Sequence, residues 1–257
     1  MPLIRVSITA LASGCTLASS ELCRALRGPA FFVCEEIQDF EPLLTDAYAA
    51  SRRFHVVEQE VRHSSPSFKS PWIKGKPNKG HQCRSWFTAA HGRPWPSEAE
   101  HPGFSTTIMA LDAHLAGVAA VLALCVSRAL ALRPEDMANT SSEAMLRALR
   151  YAPELSDTRV RLPKVGIPGH VDFGDFTLCH SDKEGLEALD RQSSAWQQLP
   201  ANELCFMSGA GLESKTKRQP HCVRAVEHRV MLNATERLSF CRLHGVSSEQ
   251  SGLAHVV

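Results

Sequence analysis

The stretch HVDFGDFTLCHSD, residues 170–182, decides the fold predicted for this chain. It places a histidine and an aspartate two positions apart, at His170 and Asp172, inside a β-prone segment. Side chains at i and i+2 of a strand project from the same face, so one strand presents an imidazole beside a carboxylate. The spacing therefore predicts two ligands of a metal ion.

Short β-prone segments separated by turns surround this stretch, whereas helical patterns dominate the chain before it. The helical patterns cover residues 19–26, 43–61, 105–132 and 140–149, with a short turn or helix from Pro134, and β-prone segments lie at 3–8 and 31–34. The later candidate strands are residues 169–173, 176–179, 184–188, 203–207, 229–232 and 237–243. Helices first and strands last favour a β-sandwich or jelly roll over a parallel α/β sheet.

Composition excludes several classes of protein. The chain has 257 residues, 44% of them apolar, and a formal charge of only +1, which does not predict a nucleic-acid partner. Its nine cysteines are spread singly, which argues against a disulfide framework and a zinc ribbon and for a reducing, cytoplasmic location. The longest uncharged apolar run, residues 115–126, is too short to span a bilayer and predicts a core helix.

With one distant histidine, His170 and Asp172 would complete the facial triad of non-haem iron(II) sites. The segments HVDFGDFTLCHSD, EGLEAL, AWQQLP, SGAGLE and EHRVMLNATERLSF resemble the C-terminal half of the isopenicillin N synthase-like 2-oxoglutarate and Fe(II)-dependent dioxygenases. The resemblance covers residues 145–243, with weaker upstream echoes in RGPAFFV, RRFHVV and RPWP. It implies a mainly β fold with flanking α-helices and a double-stranded β-helix (jelly roll) core. It also implies one oxygenase domain over 1–257, mostly helical over 1–150, with the jelly-roll core and metal site at 151–245.

The second histidine ligand stays open between two candidates. His228 lies nine residues before Arg237, which is the spacing that the family shows between its distal ligand and its arginine. His221, in PHCV, resembles the same ligand in some relatives. We place the ligand at His228 and keep His221 as the alternative.

Arg237 and Ser239 repeat the i, i+2 spacing on the last predicted strand. An arginine fork matches a carboxylate with two parallel hydrogen bonds, and the serine adds a third. The resemblance implies that both bind the distal carboxylate of 2-oxoglutarate and that Tyr151 contacts this co-substrate, although a core tyrosine explains Tyr151 equally well. The other polar residues near the metal strand are interpreted as rim or turn residues (Asp175, His180 and Asp182), and three cysteines as core side chains (Cys179, Cys205 and Cys241).

The resemblance implies an oxidoreductase that uses Fe(II), 2-oxoglutarate and O2. It would hydroxylate or otherwise oxidise a small organic substrate with release of succinate and CO2, and we expect it to act as a monomer away from membranes. The tail after Leu243 lacks an evident closing helix, which predicts a trimmed substrate pocket. One alternative is therefore a catalytically decayed jelly-roll binding or scaffold protein, and another is a cysteine-histidine hydrolase, although no cysteine lies in a recognisable nucleophile motif.

Overall fold

The computed structural model describes residues 2–64, 84–90, 94–137, 145–151 and 165–246. In chain order the elements are β1 (Arg5–Ser7), α1 (Ile8–Ala12), α2 (Thr16–Arg27), β2 (Phe31–Glu35), α3 (Phe40–Ser64), β3 (Arg84–Ala90), α4 (Phe104–Ala129), α5 (Pro134–Met137), β4 (Met145–Tyr151), β5 (Val165–His170), β6 (Phe176–Ser181), β7 (Leu186–Asp190), β8 (Ala195–Gln198), β9 (Leu204–Ser208), α6 (Ala210–Thr216), β10 (His228–Met231) and β11 (Arg237–His244).

The strands form two sheets, one of seven strands and one of four. The larger sheet has the order β1-β2-β9-β6-β11-β4-β3, and the smaller has the order β5-β10-β7-β8. Side chains from both sheets line a single cavity between them. Two sheets around a shared interior, with helices outside, confirm the predicted fold class.

Strand β11 is an interior strand of the larger sheet, and its side chains alternate between the two faces of that sheet. It pairs antiparallel with β4 on one side and with β6 on the other. Arg237, Ser239 and Cys241 line the cavity. The intervening residues turn to the opposite face, where Phe240 lies 4.9 Å from the ring of Tyr48 in α3. Alternate side chains of β11 therefore point towards the cavity or towards the helices.

Helices α3 and α4 cover the outer face of the larger sheet. Phe54 of α3 stacks on Phe104 of α4 with ring centroids 4.0 Å apart, and Leu111 and Leu122 of α4 are fully buried. By length and composition alone α4 could cross a bilayer, a property that core helices share. Its buried inner face matches the predicted core helix.

One predicted helix is wrong. A helix is predicted over residues 140–149, but residues 145–149 belong to strand β4, and 138–144 lie outside the described residues. Residues 145–150, MLRALR, are all strong helix formers. Pairing with β3 on one side and β11 on the other overrides that local preference.

The first part of the chain also supplies strands β1 to β4 to the larger sheet. The predicted helices at residues 19–26, 43–61 and 105–132 correspond to α2, α3 and α4, and the predicted strands at 3–8 and 31–34 correspond to β1 and β2. Strands β3 and β8 are absent from the predictions. The assignment of domain limits stays a prediction.

His180 is buried in β6, so its interpretation as a rim or turn residue is wrong. Only 3% of it is exposed, and its Nδ1 lies 2.6 Å from the hydroxyl of Tyr48 in α3. Its ring and that of Phe40 meet edge to face, with centroids 5.6 Å apart. Burial lowers the pKa of His180 from 6.5 to about 4, because the apolar surroundings disfavour the charged ring.

This lowered pKa predicts a pH-dependent stability. Below pH 6.5 His180 is protonated in the unfolded chain, whereas in the folded chain it stays neutral until the pH falls to about 4. The stabilisation is therefore complete above pH 6.5 and is lost as the pH falls towards 4, by up to about 3 kcal/mol. We expect His180→Gln to flatten this part of the profile, measured by urea unfolding at a series of pH values. His221→Gln, at an exposed histidine, is the control, and equal slopes in both variants would contradict the assignment.

Candidate metal centre

Three side chains from two neighbouring strands and the loop after one of them converge at one end of the smaller sheet. His170 ends β5 and His228 begins β10, and the two residues are directly paired in the antiparallel register. Their ring centroids lie 4.2 Å apart. Asp172 follows two residues after His170, and one donor atom from each of the three lies within 4.8 Å of the others. Two imidazoles and a carboxylate at this separation form a donor set for a divalent transition metal.

Backbone carbonyl groups orient both imidazole rings. The Nδ1 of His170 lies 2.9 Å from the carbonyl oxygen of Pro168, and the Nδ1 of His228 lies 3.2 Å from that of Val226. A neutral ring that donates from Nδ1 keeps its lone pair on Nε2. Both Nε2 atoms face Asp172, at 3.9 Å and 3.6 Å from its oxygens. The rings are therefore held in the tautomer and direction that metal ligation requires.

Asp172 lies beyond the end of β5. The prediction that one strand carries both His170 and Asp172 is therefore wrong, because the strand ends at His170. Thr177 at the start of β6 donates a hydrogen bond of 2.5 Å to its Oδ2. Burial alone would raise the pKa of Asp172, but nearby positive charge and this hydrogen bond outweigh it and hold the pKa below its usual value. The positive charges are those that His228 and His170 carry when they are protonated, and that of Arg147. Asp172 is thus kept as an anion.

The two candidates for the second histidine occupy different places. His228 is buried and lines the cavity. His221 is exposed, in the segment between α6 and β10, and among the described residues it is not part of the cluster of metal-binding donors. The geometry therefore favours His228.

The same cavity holds a buried guanidinium group. Arg237 is 1% exposed, and its Nε donates to the carbonyl oxygen of Lys183 at 3.1 Å. Neither terminal nitrogen, Nη1 or Nη2, has a hydrogen-bond partner among the residues that the structure describes. A buried cation with two unsatisfied donors is costly unless an anion meets it. The arrangement therefore fits a ligand that carries a carboxylate.

The predicted neighbours of Arg237 lie beside it. Tyr151 of β4 is paired directly with Arg237, and its ring centroid is 5.1 Å from the guanidinium carbon. Ser239 is the next cavity-facing residue of β11 and is buried. The cavity has a volume of about 70 Å³, and a single water needs roughly 10–15 Å³ on the same measure. A small molecule therefore has room between the metal-binding donors and Arg237.

Two polar residues of this cavity, Thr177 and Arg147, are not among the site residues predicted from the sequence. Thr177 donates the hydrogen bond that holds the carboxylate of Asp172. Arg147 lines the cavity from β4, and the wrong helix assignment hid it. Its position four residues before Tyr151 would have placed both side chains on one face of a strand.

Of the residues interpreted as rim or turn residues, Asp175 and Asp182 stabilise the turns beside the site. Asp175 is buried in the turn before β6 and pairs with Lys215 at 2.5 Å. Asp182 follows β6 and accepts a hydrogen bond of 2.7 Å from the backbone N–H of Leu238. The three cysteines Cys179, Cys205 and Cys241 lie in the strands of the larger sheet, and Cys179 and Cys241 reach the cavity.

The start of helix α6 holds the loop that carries Asp172. The N–H of Ala210 donates to the carbonyl oxygen of Asp172 at 2.8 Å, and that of Gly211 donates to Gly174 at 3.0 Å. This close approach depends on Gly209, because an added Cβ there would lie 2.1 Å from the oxygen of Gly174. The loop position is therefore fixed by backbone contacts.

Sequence comparison finds similarity over part of the chain. No family model matches it. Over 106 residues the chain is 31% identical to a protein from Oryza sativa subsp. japonica named "2-oxoglutarate-dependent dioxygenase 21, chloroplastic". This match covers 40% of the present chain and 30% of the rice protein, so less than a third of that relative's length is matched.

Structure comparison covers nearly the whole chain. A 2OG-Fe(II) oxygenase family protein from Caulobacter crescentus has a TM-score of 0.73 at 18% identity, over 96% of this chain and 87% of that one. JOX2, solved in complex with 2OG, Fe and JA, has a TM-score of 0.71 at 18% identity. This match covers 96% of the present chain and 75% of JOX2. The fold is that of the 2OG-Fe(II) oxygenases, and the family resemblance predicted from the sequence is confirmed.

The loop contacts predict a large effect of one methyl group. Gly209→Ala forces the first turn of α6 away from the loop of Asp172, because the clash is with backbone atoms that have no room to give. We expect a loss of about 1–3 kcal/mol in the free energy of unfolding, measured by urea denaturation. Gly117→Ala, in α4 with open space around the new methyl, should instead gain about 0.5–1 kcal/mol. Similar stabilities for the two variants would refute the role given to Gly209.

Proposed function

We propose that this chain, which has the fold of the 2OG-Fe(II) oxygenases, is a 2-oxoglutarate- and Fe(II)-dependent dioxygenase acting on a small organic molecule. One observation carries the proposal. The cluster His170, Asp172 and His228 shares a cavity with Arg237, whose two terminal nitrogens have no hydrogen-bond partner among the described residues. A metal site and a carboxylate site therefore lie in one enclosure, as a chelating oxo acid requires.

The proposed roles follow from the donor chemistry. His170, Asp172 and His228 would hold Fe(II) on one face and leave the remaining positions open. Arg237 would bind the distal carboxylate of 2-oxoglutarate through its two terminal nitrogens, with Ser239 as a further hydrogen-bond donor. The oxidation is the chemistry of bound Fe(II), 2-oxoglutarate and O2, with succinate, CO2 and a hydroxylated or otherwise oxidised substrate as products.

The chain's own residues would orient the co-substrate and exclude water. The ring of Tyr151 lies against the guanidinium group of Arg237 and limits its movement. Apolar side chains from both sheets enclose the space between the arginine and the metal-binding donors: Leu149, Ile167, Leu186, Met207, Val230 and Leu243. An apolar lining that excludes water strengthens the attraction between Arg237 and a carboxylate, because the local dielectric constant is low.

Two similarities support the proposal. The rice relative is named a 2-oxoglutarate-dependent dioxygenase, and the structurally similar JOX2 was solved with 2OG, Fe and JA. A small-molecule substrate fits the modest volume of the cavity. A single domain and a monomeric state remain predictions. A cytoplasmic location, which the scattered cysteines support, and the expected absence of a nucleic-acid or membrane partner, which the near-zero net charge supports, also remain predictions.

Anaerobic titration tests the metal and the co-substrate together. Fe(II) added to the protein with 2-oxoglutarate should produce a weak visible charge-transfer band, because both groups must bind next to each other. We expect His228→Ala to lose the band, since one of three protein ligands is removed. His221→Ala, at an exposed histidine, should retain it.

The outcomes separate the candidate functions. A band lost in His221→Ala but retained in His228→Ala would overturn the proposed ligand set. A folded wild-type protein without any band would favour the catalytically decayed binding or scaffold protein. Full activity after alkylation of the accessible thiols would exclude the cysteine-histidine hydrolase.

A second prediction concerns the arginine. Arg237→Gln removes the charge that faces the cavity, so we expect the apparent Kd of 2-oxoglutarate to rise roughly 10- to 100-fold, as for a lost hydrogen bond to a charged group. Fe(II) binding without co-substrate should change little. Arg229→Gln is the matched control, because Arg229 lies over the ring of Trp196 and pairs with Glu187. Equal losses in the two variants would argue against a carboxylate site at Arg237.

A further inference from the structure

We propose that Cys179 and Cys241 are a site of reversible oxidative modification, at which a peroxide converts the two thiols into a cross-strand disulfide in the wall of the cavity. The two residues are partners on adjacent strands, β6 and β11. Their sulfur atoms lie 3.3 Å apart. Both residues line the cavity that holds the metal-binding donors.

Sheet geometry makes this pair suitable for a disulfide. The backbone N–H of Asp182 donates to the carbonyl oxygen of Leu238, and hydrogen-bonded pairs alternate along an antiparallel ladder. The Cys179–Cys241 pair, three residues further along each strand, is therefore a non-hydrogen-bonded pair. In such pairs the Cα atoms are about 4.5 Å apart and the side chains approach closely, which lies within the range that disulfides span.

A third cysteine in the same row supplies an internal comparison. Cys205 of β9 lies directly opposite Cys179 on the other side of β6. The N–H of Gly209 donates to the carbonyl oxygen of Asp175, which makes the Cys179–Cys205 pair a hydrogen-bonded one, with side chains further apart. The structure records a thiol contact of Cys179 with Cys241 and none with Cys205 among the described residues.

Closing the disulfide requires little movement. The sulfurs need to approach from 3.3 Å to about 2.05 Å, which side-chain rotation supplies without a shift of either strand. The contact is also polarised, because the hydrogen bond from Cys241 lowers the pKa of the Cys179 thiol, with Arg237 and Ser239 contributing. The thiolate is the reactive form of cysteine, so Cys179 is the expected first target of the oxidant.

The reaction balances with one peroxide molecule. The Cys179 thiol is oxidised by hydrogen peroxide to a sulfenic acid, with release of one water. The Cys241 sulfur then attacks the sulfenic sulfur, forms the S–S bond and expels a second water. Two thiols are oxidised and one peroxide is reduced to two waters, and a thiol reductant reverses the change. In a reducing compartment such a disulfide is transient and responsive.

The modification reaches the proposed co-substrate site through Ser239. Its Oγ lies 3.5 Å from the sulfur of Cys179 and 3.6 Å from that of Cys241, so the disulfide removes both thiol hydrogens around the serine. We expect weaker binding of 2-oxoglutarate after oxidation. This consequence rests on the proposed function, whereas formation of the disulfide does not.

The test uses metal-free protein, so that it is independent of oxygenase activity. The full chain is treated with chelator and then hydrogen peroxide, alkylated, digested and mapped by mass spectrometry. We expect a peptide pair joined through Cys179 and Cys241 in the wild type and in Cys205→Ser, and its release by dithiothreitol. In Cys241→Ser no link from Cys179 to Cys205 should form. Circular dichroism checks that each variant is folded.

The opposite results are equally clear. The proposal is overturned if Cys179 and Cys241 are both still free thiols after peroxide treatment, so that both react with the alkylating reagent once the protein is denatured. A Cys179–Cys205 link in the wild type would also overturn it. The wild type and Cys205→Ser decide this even where Cys241→Ser does not fold. In the binding assay, an unchanged 2-oxoglutarate affinity of oxidised protein overturns the consequence for Ser239. Absence of binding already in reduced protein refutes the proposed function instead.

Discussion

The register of strand β11 between β4 and β6 is the constraint on which the site depends. Residues of one parity on β11 face the cavity, and residues of the other parity pack under α3 and α4. A shift by one residue would exchange the two sets, burying Arg237 among apolar helix residues and turning Phe240 into the cavity. The apolar contacts of the helix layer therefore fix the direction of the charged and polar groups opposite them.

The metal-binding donors are held by a different part of the fold. His170 and His228 are partners in the smaller sheet, whereas Asp172 belongs to a loop held by the first turn of α6. The strand pair determines the separation of the imidazoles, and the loop brings the carboxylate to them. The loop is positioned by backbone hydrogen bonds from the first turn of α6, next to Gly209. The position of Asp172 therefore depends on residues of α6 that contact its loop only through their backbone.

Sequence reasoning could identify what depends on short spacing and on strong local patterns. The pairs at 170 and 172 and at 237 and 239 are visible from an i, i+2 spacing, and α2, α3 and α4 from helical periodicity. What sequence reasoning missed depends on long-range pairing. Strand β4 is built of strong helix formers whose local preference its two neighbours override. The choice of His228 over His221 came only from its spacing to Arg237, and in the structure it is His228 that lies opposite His170 in the sheet.

The burial of Arg237 also bears on why we expect the site to prefer an anion. A guanidinium group with one satisfied nitrogen and two unsatisfied ones raises the energy of the empty cavity, since buried donors without partners are costly. That cost is relieved when a carboxylate fills the space, whereas a neutral ligand of the same shape leaves it in place. Discrimination against uncharged analogues therefore follows from the unsatisfied state itself. The ring of Tyr151 and the carbonyl oxygen of Lys183 hold the side chain in the cavity, so the fold would maintain the preference that we propose.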